Sequence, residues 1–182
     1  MKIRSLFSMD NYHVRFPIGE CAFKDEYSAE EMRTMFLAIE TFPKRLELIA
    51  QHLTEKQLAQ TYREGGWTVN QLIHHCADSH LNALLRVKLT LSNDNPTINP
   101  YPEEIWAEMA DYKLPFNIAI TLLYCVHAKL NSIIRQLHEA ELNRTYYHPQ
   151  YQRSFRLKDV ICLYAWHGDH HLAHIKLAIN EQ

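Results

Sequence analysis

Glycine is scarce in this chain: 182 residues contain four, Gly19, Gly65, Gly66 and Gly168. An α/β or all-β fold needs many tight turns, so the scarcity argues against both and favours long helices. The four cysteines, Cys21, Cys76, Cys125 and Cys162, are scattered with no CxxC pair. They read as small buried hydrophobes in a reducing cytoplasm rather than as a disulfide framework. Charge of one sign is also missing: the formal net charge is -2, which argues against a nucleic-acid surface and gives no membrane-surface signal. The sequence shows no apolar run long enough to span a bilayer. Met1–Ser8 is soon interrupted by Asp10, Asn11 and His13, a poor signal peptide, so the expected location is cytoplasmic.

Apolar residues make up 47% and charged residues 22%, the profile of a globular domain with a sizeable core. The expected organisation is one domain over residues 1–182, with residues 1–27 as an extended N-terminal arm packed on the body.

What the chain has in excess is histidine near its end. Trp166-His167-Gly168-Asp169-His170-His171-Leu172-Ala173-His174 holds four histidines in nine positions. His167 and His171 are one helical turn apart, as are His170 and His174, and an i, i+4 pair shares a helix face. The HExxH zinc motif uses the same spacing, but Gly168 follows the first histidine here, which removes the protease reading. A catalytic ion usually takes three protein ligands and keeps an open position. The third donor is expected from His74-His75, so the pattern points to a three-histidine site between two helices. The competing account is an amphipathic helix that happens to be rich in histidine.

Ser28-Ala29-Glu30-Glu31 is a capping box, and the apolar spacing behind it predicts a helix to about His52, kinked at Pro43. Thr54-Glu55-Lys56-Gln57 opens a short helix, and Thr68-Val69-Asn70-Gln71 opens a second long one to about Leu91. With His75 as reference, Ser79, Asn82 and Arg86 fall within roughly 40° of it and Asp78 within roughly 60°. That polar stripe is a solvated face unless it meets His167 and His171. Residues 92–102 read as a loop, Glu103–Ala110 as a short helix, and Phe116–His138 as the third long helix, with His127 in its middle. Arg144–Leu157 is a long connection, or a loose hairpin, before a fourth long helix from about Lys158 to Asn180. Four long amphipathic helices make an antiparallel-type bundle, which places metals between facing helices.

The run Gly65-Gly66-Trp67-Thr68-Val69-x-Gln71-x-x-His74-His75-x-Ala77-Asp78-Ser79-His80-x-Asn82 closely resembles the YfiT-like branch of the DinB superfamily. So do Arg86-x-Lys88-Leu89, Pro100-Tyr101 with Trp106-Ala107-Glu108, Tyr147-His148-Pro149, and Tyr164-x-Trp166-His167-x-x-His170-His171-x-x-His174-Ile175. The resemblance covers roughly Tyr12 to the C-terminus. It implies an all-α four-helix bundle with up-down-down-up connectivity, one divalent metal per subunit, zinc or nickel, and a homodimer. It also implies a metal-dependent hydrolase, while relatives in the superfamily act as thiol S-transferases with bacillithiol or mycothiol. Carried over by motif, the ligands are His75, His167 and His171. His174 falls where other branches often have Gln, which argues against a ligand role. Gly168 within a helix costs about 1 kcal/mol against Ala, which suggests a close backbone approach there.

Three functions follow as expectations. A metal-dependent hydrolase would activate water on the ion for attack on a small-molecule substrate, with Asp78, His170 and His174 as acid–base candidates and Arg86 and Asn82 holding an anionic group. A thiol transferase would use the same ion to deprotonate a low-molecular-weight thiol. A non-catalytic bundle would have its ligation completed by protein, with His127 or His170 as the extra donor. Histidine-only ligation suits zinc, nickel, copper and iron alike.

Overall fold

The structure, a computed structural model, describes residues 10–180; Met1–Ser8, read above as a poor signal peptide, lies outside them. In chain order the elements are α1 (Asp10–Arg15), α2 (Ala29–Ala50), α3 (Glu55–Leu58), α4 (Val69–Ser92), α5 (Glu103–Trp106), α6 (Phe116–Ile134), α7 (Glu139–Leu142), β1 (Thr145–His148), β2 (Arg153–Arg156) and α8 (Leu157–Ala178). A 3-10 turn, Ala110–Lys113, precedes α6. The three sequence-predicted capping boxes all form: Ser28 with Glu31, Thr54 with Gln57 and Thr68 with Gln71 each satisfy two orphan N–H groups at a helix start.

The long helices α2, α4, α6 and α8 form the bundle. Helix α2 packs on α6 and α8, and α4 packs on the same two, so α2 and α4 lie on one diagonal. The ends fix the directions. Asn70, in the first turn of α4, donates from Nδ2 to the carbonyls of Tyr112 (2.8 Å) and Leu114 (3.3 Å), just ahead of α6, so α4 and α6 run parallel. Tyr27, just ahead of α2, donates to Asp159 in the first turn of α8 at 3.3 Å, so α2 and α8 run parallel. The short α2–α4 link reverses the chain between the two pairs, and the result is the up-down-down-up bundle.

Three details differ from the sequence expectation: the arm, the end of the third long helix and the length of one apolar run. The arm is not wholly extended: α1 is a helical turn, followed by an irregular run that docks on α8 through Trp166 Nε1 to the Gly19 carbonyl (3.1 Å). The third long helix stops at Ile134, four residues early, because His138 caps α7 instead, its N–H donating to Glu141 at 3.2 Å. Helix α2 runs on both sides of Pro43, as the apolar spacing predicts. Helix α6 is long and apolar enough by composition to cross a bilayer, but it turns Ala119, Ile120, Leu123, Val126, Leu130 and Ile134 into the bundle core. The connection before α8 is a hairpin, with Thr145 paired to Arg156 and His148 to Arg153.

The apolar core is in two parts. On α4 one part ends at Ala77 and the other begins at Ala83; on α8 one ends at Ala165 and the other begins at Leu172. The gap is a polar layer holding His80, His167, His170 and His171, and Phe42 from α2 seals it by stacking on His80 (centroids 5.0 Å, 17° between planes).

Gly168 fits its backbone against that phenylalanine. A Cβ there would stand 2.8 Å from Phe42 Cδ2 and 3.0 Å from Cγ. Gly168→Ala gains about 1 kcal/mol of helix propensity but overpacks a fully buried ring, a penalty of about 1–3 kcal/mol. The expected net outcome is a melting temperature lowered by about 2–6 °C, read by thermal denaturation.

Candidate metal centre

The two helices that build the centre are antiparallel neighbours. Helix α4 brings His75 in its second turn, and α8 brings His167 and His171 on one face. His167 Nε2 lies 3.2 Å from His75 Nε2 and 3.2 Å from His171 Nε2. Ligand nitrogens of a tetrahedral site with metal–nitrogen bonds of about 2.0–2.1 Å stand about 3.3 Å apart. The three residues therefore fit one divalent ion by donor type and by spacing. Trp67 lies against His75 with centroids 4.5 Å apart, and His75 Nδ1 is buried without a hydrogen-bond partner.

Electrostatics favours the metal-binding form of each ring. Burial pulls His75 down to about 4. Burial first, and then the neighbouring imidazoles, hold His167 and His171 well below the usual histidine range. All three are neutral at pH 7, with lone pairs available and little competition from protons.

The other sequence candidates are placed differently. His174 is buried; its Nε2 donates to the carbonyls of Val14 (3.1 Å) and Arg15 (3.2 Å), its Nδ1 is 3.4 Å from His171 Nδ1, and Tyr62 stacks on its ring. A second histidine group, His170, His171 and His174, thus shares His171 with the first. Asp78 sits beside Tyr112, His74 and Asp111, and burial raises its carboxyl above the usual range. Asn82 donates from Nδ2 to the Asp78 carbonyl at 2.9 Å. Arg86 is 9% exposed and has no carboxylate partner among the described residues. Its Nη1 donates to Tyr164 Oη at 3.4 Å and its Nε is buried without a partner. The Tyr164 ring lies 5.8 Å from that of His167 and 5.0 Å from that of His80.

Sequence reasoning passed over His80. It lies 140° around α4 from His75, away from the stripe that includes the ligand. In the structure it is fully buried, with Nε2 3.2 Å from His167 Nδ1 and Nδ1 2.8 Å from His127 Nε2. His127 reaches the centre only through His80, since its own Nδ1 is taken by the Ile39 carbonyl at 2.7 Å. A proline four residues after Ile39 was the available signal, because it leaves that carbonyl without its helical donor.

Comparison with known proteins agrees with the fold. A family model described as the DinB superfamily matches residues 38–175. A protein of Halalkalibacterium halodurans named as a candidate metal-dependent hydrolase is 42% identical over 171 residues, covering 94% of this chain and 98% of its own. A similarly named protein of Oceanobacillus iheyensis is 43% identical over 161 residues, covering 88% and 93%. The solved structure of YfiT from Bacillus subtilis, described as a probable metal-dependent hydrolase with an unusual four-helix bundle topology, superposes with a TM-score of 0.89 at 35% identity. It covers 92% of this chain and 97% of that one.

The buried neutral rings make the metal-free fold sensitive to acid. His75 and His127 are each 2% exposed and are lowered to about 4, whereas in the unfolded chain they titrate near 6.5. Between those values the unfolded chain binds more protons, so stability falls as pH falls. The melting temperature of chelator-treated protein is expected to drop by about 5 °C or more between pH 7 and 5.5, measured by calorimetry.

Proposed function

We propose that this chain, which belongs to the DinB superfamily, is a metal-dependent hydrolase acting on small anionic substrates through one zinc or nickel ion held by His75, His167 and His171. The observation that carries the reading is the meeting of the three Nε2 atoms, with His167 3.2 Å from each of the other two. A divalent ion there supplies a Lewis acid for a carbonyl or phosphoryl oxygen and activates water near neutral pH. Three ligands from the protein leave positions open for both.

Arg86 supports the anionic substrate. A guanidinium that is nine-tenths buried with no carboxylate beside it is a ready partner for one. Its contact with Tyr164, against the His167 ring, places it on the ligand side of α8. Asn82 commits its amide nitrogen to the Asp78 carbonyl, which leaves Oδ1 as an acceptor for the substrate. Asp78, its carboxyl raised above the usual range by burial, is the acid–base candidate on α4. His174 acts through His171 rather than as a free base, since both of its nitrogens are engaged.

One observation favours thiol transfer as a second reading. His80, His127 and His174 are tied to other imidazoles or to backbone, and Asp78 faces Tyr112, which leaves His170, unpartnered at Nδ1 and lowered by burial to about 4, as the unengaged imidazole beside the ligands among the described residues, and a weak base. Coordination deprotonates a thiol outright, with no base required. A homodimer, expected from the resemblance, is supported by Leu85 and Leu89 on α4 and Ile118 on the adjacent α6, each 42–51% exposed.

Elemental analysis tests the ion. About one equivalent of metal in the parent and none in His75→Ala/His171→Ala is expected. The reconstituted protein should then hydrolyse anionic esters, amides or phosphoesters, and lose this in the double variant. Equal turnover by both would end the hydrolase reading, while thioether formation from an electrophile and a low-molecular-weight thiol would select the second. For a responsive anionic substrate, Arg86→Met should raise KM about 10- to 100-fold with a smaller change in kcat, and leave an uncharged analogue unaffected.

A further inference from the structure

We propose that His80, His127 and His174 are positioning residues that hold the proton of His167 and His171 on Nδ1, so that both rings turn a bare Nε2 to the ion, and that Pro43 starts the longer of the two chains. The inference rests on the three-histidine metal centre and goes beyond it, to what orients the ligands.

The longer chain begins at a missing donor. In α2 the carbonyl of Ile39 would accept from the N–H of residue 43, but that residue is proline and has none. His127 Nδ1 stands 2.7 Å from that oxygen. A carbonyl only accepts, so the His127 proton is on Nδ1 and its Nε2 is a lone pair. That lone pair faces His80 Nδ1 at 2.8 Å, which must therefore donate. A neutral ring carries one proton, so His80 Nε2 is an acceptor. It faces His167 Nδ1 at 3.2 Å, which in turn must donate. Nothing is left on His167 Nε2 but a lone pair.

The shorter chain ends the same way. The carbonyls of Val14 and Arg15, in the arm, lie 3.1 and 3.2 Å from His174 Nε2 and can only accept. His174 Nδ1 is then the lone pair, and His171 Nδ1 donates to it across 3.4 Å. His171 Nε2 is bare as well. The 3.2 Å contact between His167 Nε2 and His171 Nε2 consequently has no proton in it, and two opposed lone pairs are an arrangement that a cation relieves. Both α8 ligands are set by carbonyls in other parts of the chain, α2 for one and the arm for the other. His75 is the exception: its Nδ1 has no partner, so nothing presets its proton. Partners of this kind, behind the ligands, typically contribute 10- to 100-fold in metal affinity.

The test is nitrogen-15 NMR of histidine-labelled protein, in which two-bond correlations separate Nδ1–H from Nε2–H rings. In metal-free protein, His80, His127, His167 and His171 are expected as Nδ1–H and His174 as Nε2–H. Zn2+ is the probe for affinity, by competition with a chromophoric chelator. His80→Leu should weaken Zn2+ binding about 10- to 100-fold, and His80→Gln, which can accept from His167 and donate to His127, should recover at least part of it. Pro43→Ala keeps every imidazole and restores a competing N–H to the Ile39 carbonyl, so the His127 and His80 signals should move toward mixed tautomers. An Nε2–H proton on His167 or His171 in metal-free protein overturns the proposal, as does Zn2+ affinity within twofold of the parent in folded His80→Leu. Should that variant fail to fold, the tautomers of the parent decide. Neither readout uses turnover: absence of hydrolysis leaves the chains standing, and wrong tautomers in a protein that binds Zn2+ leave the hydrolase reading standing.

Discussion

A neutral imidazole has one donor and one acceptor, and a buried one must have both matched. That constraint orders the middle of this bundle. His80, His127, His171 and His174 are each at most 7% exposed, and they meet His167 and His75 at hydrogen-bond distance. Each ring dictates the next until the sequence of protons ends at backbone carbonyls on one side and at opposed lone pairs on the other. The carbonyl ends come from α2 and from the arm. Helix α2 and the arm contribute no ligand, yet both take part in shaping the centre.

The same constraint explains why the apolar core is divided. A continuous core between α4 and α8 would be simpler to pack, but the polar layer interrupts it between Ala77 and Ala83 and between Ala165 and Leu172. A buried acceptor without a partner costs about 1–3 kcal/mol. The layer retains unpartnered ring nitrogens, His75 Nδ1 and His170 Nδ1 among them. Phe42 and Gly168 show how closely the layer is sealed: the ring occupies the space where a side chain at 168 would begin, and its face covers His80. Metal binding and fold stability are coupled through these contacts, since ion and packing act on the same rings.

Much of this was legible from the chain. Capping boxes and apolar spacing located the four long helices to within a few residues, because helix starts are local chemistry. The i, i+4 spacing of His167 and His171 carried their common face, since helix periodicity is also local. Long-range pairing was not legible. Pro43 read as a kink, and its consequence, an Ile39 carbonyl free to meet His127 88 positions further on, is one that only the bundle topology brings within reach. His80 was passed over, since its place opposite α6 depends on which helices lie on the diagonal. The arm read as extended packing, and α1 and its carbonyls at His174 required tertiary contact to appear.

The network also bears on the chemistry. Hydrolysis needs somewhere for the proton of water to go, and the imidazoles nearest the ligands are poor receivers. His80 and His127 are lowered by burial, and accepting a proton on His80 Nε2 or His127 Nε2 would break the bonds that orient His167. Orientation and proton transfer thus compete for the same nitrogens, and the geometry assigns them to orientation. Proton handling falls to groups outside the chains of rings, which leaves Asp78 and the weakly basic His170, or to a reaction whose nucleophile gives up its proton on coordination. A centre with well-set ligands and few bases is suited to chemistry in which the ion itself does most of the activation.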